Sequence, residues 1–136
     1  MNKSNKSGKL ATPVKPVRDG LIKLPEGWIY MVDKDVSITQ IAACIKELTY
    51  PVDCWHEAGV CEVEFGLRQT MDFEEIELPF EEEFSDAFVS EHGFVRAYYV
   101  TFPAECFDKA KEVALRVKQG VGGGFYADTD DFMPEM

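Results

Sequence analysis

Four side chains that could do chemistry fall within eight residues of one another: Cys54, His56, Glu57 and Cys61. Thiolate, imidazole and carboxylate are ligands that zinc takes, and a closed structural site needs four of them in a tetrahedron. The spacing here is C-x-H-x4-C, which matches no closed site, and a fourth ligand such as His92 would have to come from a distance. His56-Glu57 also begins like the zinc-protease helix signature, but no histidine stands four positions after His56. A Cys–His nucleophilic pair needs only proximity in space, so four cysteines and two histidines always allow one to be drawn. The expectation is a hairpin whose thiols pack, without metal, cofactor or catalytic residue. A small metal or thiol enzyme built on Cys54, His56 and Cys61 stands as an alternative.

Other chemistry is weaker still. No serine sits in a G-x-S-x-G elbow. The triplet Gly122-Gly123-Gly124 is not followed by Lys-Ser or Lys-Thr, so it reads as a loop and not as a phosphate cradle. Asp128, Asp130 and Asp131 resemble the start of a calcium loop, but the bidentate acid required at the twelfth position falls beyond Met136. The segment reads as a solvated acidic terminus. A glycosidase pair would need one carboxyl desolvated enough to keep a proton. The acids of segment 72–91 are too crowded to look buried, and the chain reads as no enzyme.

The elements that would position these groups follow from periodicity. Residues 1–18 (rich in Lys, Ser, Asn and Pro) read as a flexible basic leader, and 19–136 as a single domain with a short acidic tail. Leu24-Pro25-Glu26-Gly27 is a turn before the apolar run Trp28–Val32, which has strand length. Ser37 and Gln40 make a capping box, and Ile38, Ile41, Ala42, Ile45 and Leu48 share one face of the helix that follows, with Pro51 marking its end. Tyr50–His56 and Val60–Phe65 form a hairpin around Glu57-Ala58-Gly59, with Val60, Glu62 and Glu64 facing away from Cys61, Val63 and Phe65. A strand over Met71–Leu78 shifts its apolar phase between Phe73 and Ile76, which predicts a bulge at Glu74-Glu75. Phe84, Ala87 and Phe88 fit a short helix reset by Gly93, and Phe94–Phe102 reads as a central strand. A second long helix carries Phe107, Ala110, Ala114 and Val117 on one face and closes at Gly120, before a last short strand.

This order predicts an α+β, two-layer sandwich: an antiparallel sheet of about five or six strands with two helices on one face, a ferredoxin-like variant. The opposite sheet face would be open. The architecture hosts many unrelated functions and decides none.

Charge is more selective. The leader holds Lys3, Lys6, Lys9, Lys15 and Arg18 with no acid, which leaves nine basic and twenty-five acidic groups in the rest, a formal charge near −16. Such a body repels nucleic acid and anionic lipid and accelerates encounter with a cationic protein. No apolar stretch follows the leading lysines and no run of eighteen apolar residues exists, so neither an export signal nor a membrane span is read. Cys44, Cys54, Cys61 and Cys106 do not form an exported disulfide framework, and a reducing cytoplasm is the expected location.

Between Arg68 and Arg96 stand nine carboxylates and no lysine or arginine. Glu74, Glu75, Glu77, Glu81, Glu82, Glu83 and Asp86 flank Phe80, Phe84 and Phe88. Rings ringed by acids suit a protein interface, the rings supplying buried area and the acids steering. Trp55, Tyr98 and Tyr99 would extend it across the sheet. The sequence therefore points to a non-catalytic acidic protein that engages a basic protein partner, most concretely a bacterial immunity protein neutralising a cationic toxin. A nucleic-acid mimic that occupies a DNA-binding enzyme is the alternative use of the same charge. A homodimer through the open sheet face is compatible with either.

Overall fold

The computed structural model describes residues 27–136; the leader expected over 1–18, and the turn before Gly27, lie outside them. Six strands and three helices follow in the order β1 (Gly27–Val32), α1 (Ile38–Cys44), β2 (Val52–Trp55), β3 (Val60–Gly66), β4 (Gln69–Ile76), α2 (Glu83–His92), β5 (Arg96–Thr101), α3 (Phe107–Val121) and β6 (Gly124–Ala127). The strands form one antiparallel sheet in the order β2-β3-β4-β5-β1-β6. The expected α+β sandwich is thus observed, with β5 inside the sheet as its two-sided apolar pattern required. No helix among the described residues is long and apolar enough to cross a membrane.

Helices α1 and α3 pack on one face. Trp28, Tyr30 and Val32 of β1, Cys61 and Val63 of β3, Met71 and Phe73 of β4, and Tyr98 and Val100 of β5 meet Ile38, Ile41, Ala110, Val113, Ala114 and Val117 there. Alternate residues of each strand point the same way, so neighbouring strands in register build one continuous apolar surface. Two phenols are buried in it and both are satisfied: Tyr98 Oη donates to Val36 O (2.6 Å) and Tyr30 Oη to Gly122 O (2.7 Å). The capping box at the start of α1 is formed, with Gln40 N donating to Ser37 Oγ (3.3 Å) and Ser37 N to Gln40 Oε1 (2.9 Å).

The last helix does not close at Gly120. It continues to Val121, and Gly122 at φ 85° caps it. Gly120 instead lets α3 approach α1, since a Cβ there would lie 2.5 Å from Cys44 Sγ. A contact requirement, and not a turn, explains this glycine.

The opposite sheet face is open over only part of its width. Helix α2 and the segment after β6 cover the β5-β1-β6 side, burying Ile29, Met31, Val89, Ala97 and Phe132 with Ile76, Phe80, Phe88 and Phe94 around them. This second small core explains the phase shift in β4. The register runs without interruption from Asp72↔Thr101 to Ile76↔Ala97, so no bulge exists at Glu74-Glu75. Met71 and Phe73 serve the helix-covered face, while Ile76 serves the α2 side. The apolar pattern changes phase because the buried face changes.

Candidate protein-docking face

The acidic segment singled out by the sequence is drawn into several local jobs. Glu75 pairs with Arg96, which also pairs with Asp35, so its charge is neutralised in place. Asp86 accepts from Phe80 N (2.8 Å) and Glu82 from Ser85 Oγ (2.6 Å), ordering the entry to α2. Glu83 and Asp86 sit in the first turn of that helix, where its dipole favours negative charge. Phe80 and Phe84 each stand 6.2 Å from the Phe132 ring, and Phe88 4.6 Å from it. Phe80 is therefore a partly buried core residue, and Phe84 remains half exposed. Glu77, Glu81, Glu82 and Glu83 are exposed around this cluster. Tyr98, expected on the docking face, is buried beneath α1 and cannot take part.

Glu74 points elsewhere, and with it a different acidic surface comes into view. In the sheet register Asp53 faces Glu62, Glu62 faces Asp72, and Asp72 faces Thr101. These residues alternate with Cys54, Cys61, Phe73 and Val100 of the core, so they stand on the face opposite α1 and α3. Glu64 opposite Thr70, and Glu74 opposite Val60, share that face. Trp55, opposite Val60 and half exposed, adds an indole beside them. Helix α2 covers only the β5-β1-β6 part of this face, so five carboxylates and one indole occupy the uncovered part, on three adjacent strands.

The crowding has electrostatic consequences. Glu75 N donates to Gly59 O (2.8 Å), which fixes the hydrogen-bonding phase of β3 and β4 and puts Glu62 and Asp72 at a non-hydrogen-bonded pair. Side chains approach closest at such positions. Partial desolvation, followed by the charges of Asp72, Asp53 and Glu64, pushes the Glu62 carboxyl above the ordinary carboxylate range. Asp72 Oδ1 is out of contact with solvent and has no hydrogen-bond partner. Among the described residues, the arginine ion pairs join Arg96 to Asp35 and Glu75 and Arg116 to Glu47, and none reaches the five carboxylates. Like charges directly opposite are destabilising in a sheet, so the fold tolerates a local cost here.

The hairpin cysteines and the two histidines point in different directions. Cys54 and Cys61 are register partners turned toward the helix layer, His56 lies in the turn with Nδ1 3.5 Å from Thr39 Oγ1, and His92 stacks on Phe88 and Phe94 at the far end of α2. No three or more His, Cys, Asp or Glu side chains among the described residues converge on a metal position. An open groove of about 700 Å³ runs between the hairpin turn and Arg96, lined by His56, Glu57, Glu75 and Glu77 among others. The paired Glu75 and Arg96 both line it.

The alternation in β3 orients Glu62 and Glu64 away from the core from sequence alone. Asp53, Asp72 and their alignment with Glu62 depend on the register of three strands, and no local signal carries that. Comparison of the chain with known protein families, curated proteins and solved structures finds no match.

Proposed function

We propose that this protein is a non-catalytic, cytoplasmic binding protein that docks a basic protein segment on its acidic sheet face, and most concretely that it neutralises a cationic toxin. The observation that carries this reading is the row Asp53–Glu62–Asp72, flanked by Glu64, Glu74 and the half-exposed Trp55. Folding brings these carboxylates together against their mutual repulsion and provides no arginine partner for them among the described residues. A lysine- or arginine-rich surface would relieve that repulsion, while Trp55 would supply the apolar anchor. The exposed Glu77, Glu81, Glu82 and Glu83 would extend the attracting field and speed the encounter.

The compactness of the row favours this over nucleic-acid mimicry. Strands about 4.8 Å apart place Asp53 and Asp72 about 10 Å from one another. That is a patch and not an extended track of phosphate-like charges. The test is binding to purified cationic protein toxins of the nuclease type, with inhibition of their activity followed across ionic strength. Stoichiometric inhibition, with association that slows as salt rises, is the expected result. No association at low ionic strength, or association unaffected by charge reversal at Asp53 and Glu62, would overturn it.

A further inference from the structure

We propose that Cys54 and Cys61 are an oxidation site: peroxide converts the two thiols to a reversible cross-strand disulfide that locks the edge strand β2 onto the sheet. The site lies on the helix-covered side of the hairpin and stands or falls apart from the docking reading.

Strand pairing carries the assignment. Cys54 and Cys61 are direct register partners on β2 and β3. Glu64 N donates to Pro51 O (2.9 Å), so Pro51 with Glu64, Asp53 with Glu62 and Trp55 with Val60 are the hydrogen-bonded pairs, and the cysteines fall between them. On the other side of β3, Glu75 N donates to Gly59 O (2.8 Å), and by the same alternation the backbone of Cys61 bonds to Phe73 of β4. Both phases place the cysteines at a non-hydrogen-bonded pair, where Cα atoms stand about 4.5 Å apart and side chains approach closest. A disulfide spans Cα separations of about 4.4–6.8 Å, so bridging needs no change of register. The side chains of Cys54 and Cys61 already share a hydrogen bond. Cys44, by contrast, lies at the α1–α3 contact beside Gly120, and Cys106 precedes α3.

The two sulfurs have different roles. Cys61 is fully buried, while Cys54 is only partly buried and sits on the outermost strand. Burial, followed by the charge and hydrogen bond of Cys54, pushes the Cys61 thiol up and keeps it protonated. Cys54 is therefore the attacking sulfur and Cys61 the resolving one. The Cys54 thiolate attacks one peroxide oxygen and breaks the O–O bond, giving the sulfenic acid and hydroxide, which takes up the proton Cys54 released. Cys61 sulfur then attacks the sulfenic sulfur; the S–O bond breaks, and the departing hydroxide leaves as water with the Cys61 proton. Two thiols thus lose two electrons and two protons, and one peroxide becomes two waters. A small neutral oxidant suits the site, because Asp53, Glu62 and Glu64 on the same two strands repel anionic ones such as glutathione disulfide. The product ties down a four-residue strand whose only strand partner is β3, and fixes Asp53 opposite Glu62. In a reducing compartment such a bridge is transient and regulatory.

Treatment of the full chain with millimolar hydrogen peroxide, then thiol blocking, trypsin digestion and mass spectrometry, puts this to the test. Cleavage after Lys46 and Arg68 isolates a peptide, 47–68, that holds Cys54 and Cys61 and no other cysteine. In the monomer it is expected to lose two hydrogens, to take up no blocking reagent, and to regain both thiols with dithiothreitol. Amide exchange at residues 52–55 should slow about tenfold or more in the oxidised protein. In Cys61→Ala, dimedone should trap Cys54 as the sulfenic acid; in Cys54→Ala, Cys61 should stay reduced. The wild-type result stands without either variant. Two blocked thiols after peroxide, Cys54 driven to sulfinic acid beside an intact Cys61, or a bridge found only between two chains would each overturn the site. A bridge with unchanged exchange would overturn the lock on β2. Association of the reduced protein with a cationic toxin is a separate readout: its failure sinks the docking reading and leaves the bridge untouched.

Discussion

Glu62 and Asp72 are direct register partners on β3 and β4, at a position where side chains approach closest, and both point away from α1 and α3. Asp53 stands across from Glu62 on its other side. A sheet that lines up three carboxylates in this way resists its own formation slightly, and the resistance is what a cationic ligand would remove. Five measurements follow from this arrangement and from the packing around it.

Neutralising Glu62 should stabilise the protein, with a sign that depends on pH. Its folded pKa is raised, so between the unfolded and folded values the native state binds more protons than the unfolded chain. Stability is therefore favoured below the ordinary carboxylate range and declines as pH rises through the folded value. Glu62→Gln should gain about 0.5 kcal/mol at pH 7, and the gain should vanish at acid pH. Urea unfolding of both proteins across pH checks this, and a loss of stability at neutral pH would count against the repulsion.

Charge reversal separates the two acidic surfaces. D53K/E62K should slow association with a cationic partner by about tenfold or more at low salt. Reversal of Glu81, Glu82 and Glu83, which fringe the α2 entry, should have a smaller effect. Stopped-flow association rates as a function of ionic strength distinguish them. The opposite ranking would move the interface to the helix entry.

Gly120→Ala should destabilise although alanine is the better helix former. The new Cβ would sit 2.5 Å from Cys44 Sγ, and overpacking of that kind costs about 1–3 kcal/mol. Pairing it with Cys44→Ala should recover most of the loss, because the clash is with sulfur. Denaturant midpoints of the single and double variants give the coupling.

Tyr98→Phe leaves the Val36 carbonyl without its donor at a buried position. The expected cost is about 1–2 kcal/mol, with little change in the denaturant slope.

Phe132→Ala should release α2 preferentially. Phe132 is 3% exposed and touches Phe80, Phe84 and Phe88. Removing it should cost about 3–5 kcal/mol if folding is cooperative, with amide exchange rising first in residues 83–92. Equal acceleration in α3 would show that the second core is not an independent unit.

Much of the fold was legible because its signals are local. The capping box at Ser37 and Gln40, the apolar stripe of α3 and the alternation in β3 each depend on residues a few positions apart. The errors arose where two distant surfaces compete for one segment. In β4 the change of buried face looked like a bulge, and at Gly120 a helix contact looked like a stop. Nothing nearby in the chain announces Phe132 as the ring against which Phe80 packs, while Phe84 stays half exposed beside it.

By itself the sequence determined the class of fold, the sign and size of the charge, and the outward direction of Glu62 and Glu64. Side-chain alternation and net charge are properties of neighbouring residues or of simple sums, so they survive without a structure. Only the tertiary structure decided which carboxylates meet. A slip of one residue in β2 or β4 would turn Asp53 or Asp72 to the other face, and register is chosen by the core packing of Cys54, Cys61 and Phe73 on the far side. The acidic row is thus positioned by the apolar residues that alternate with it.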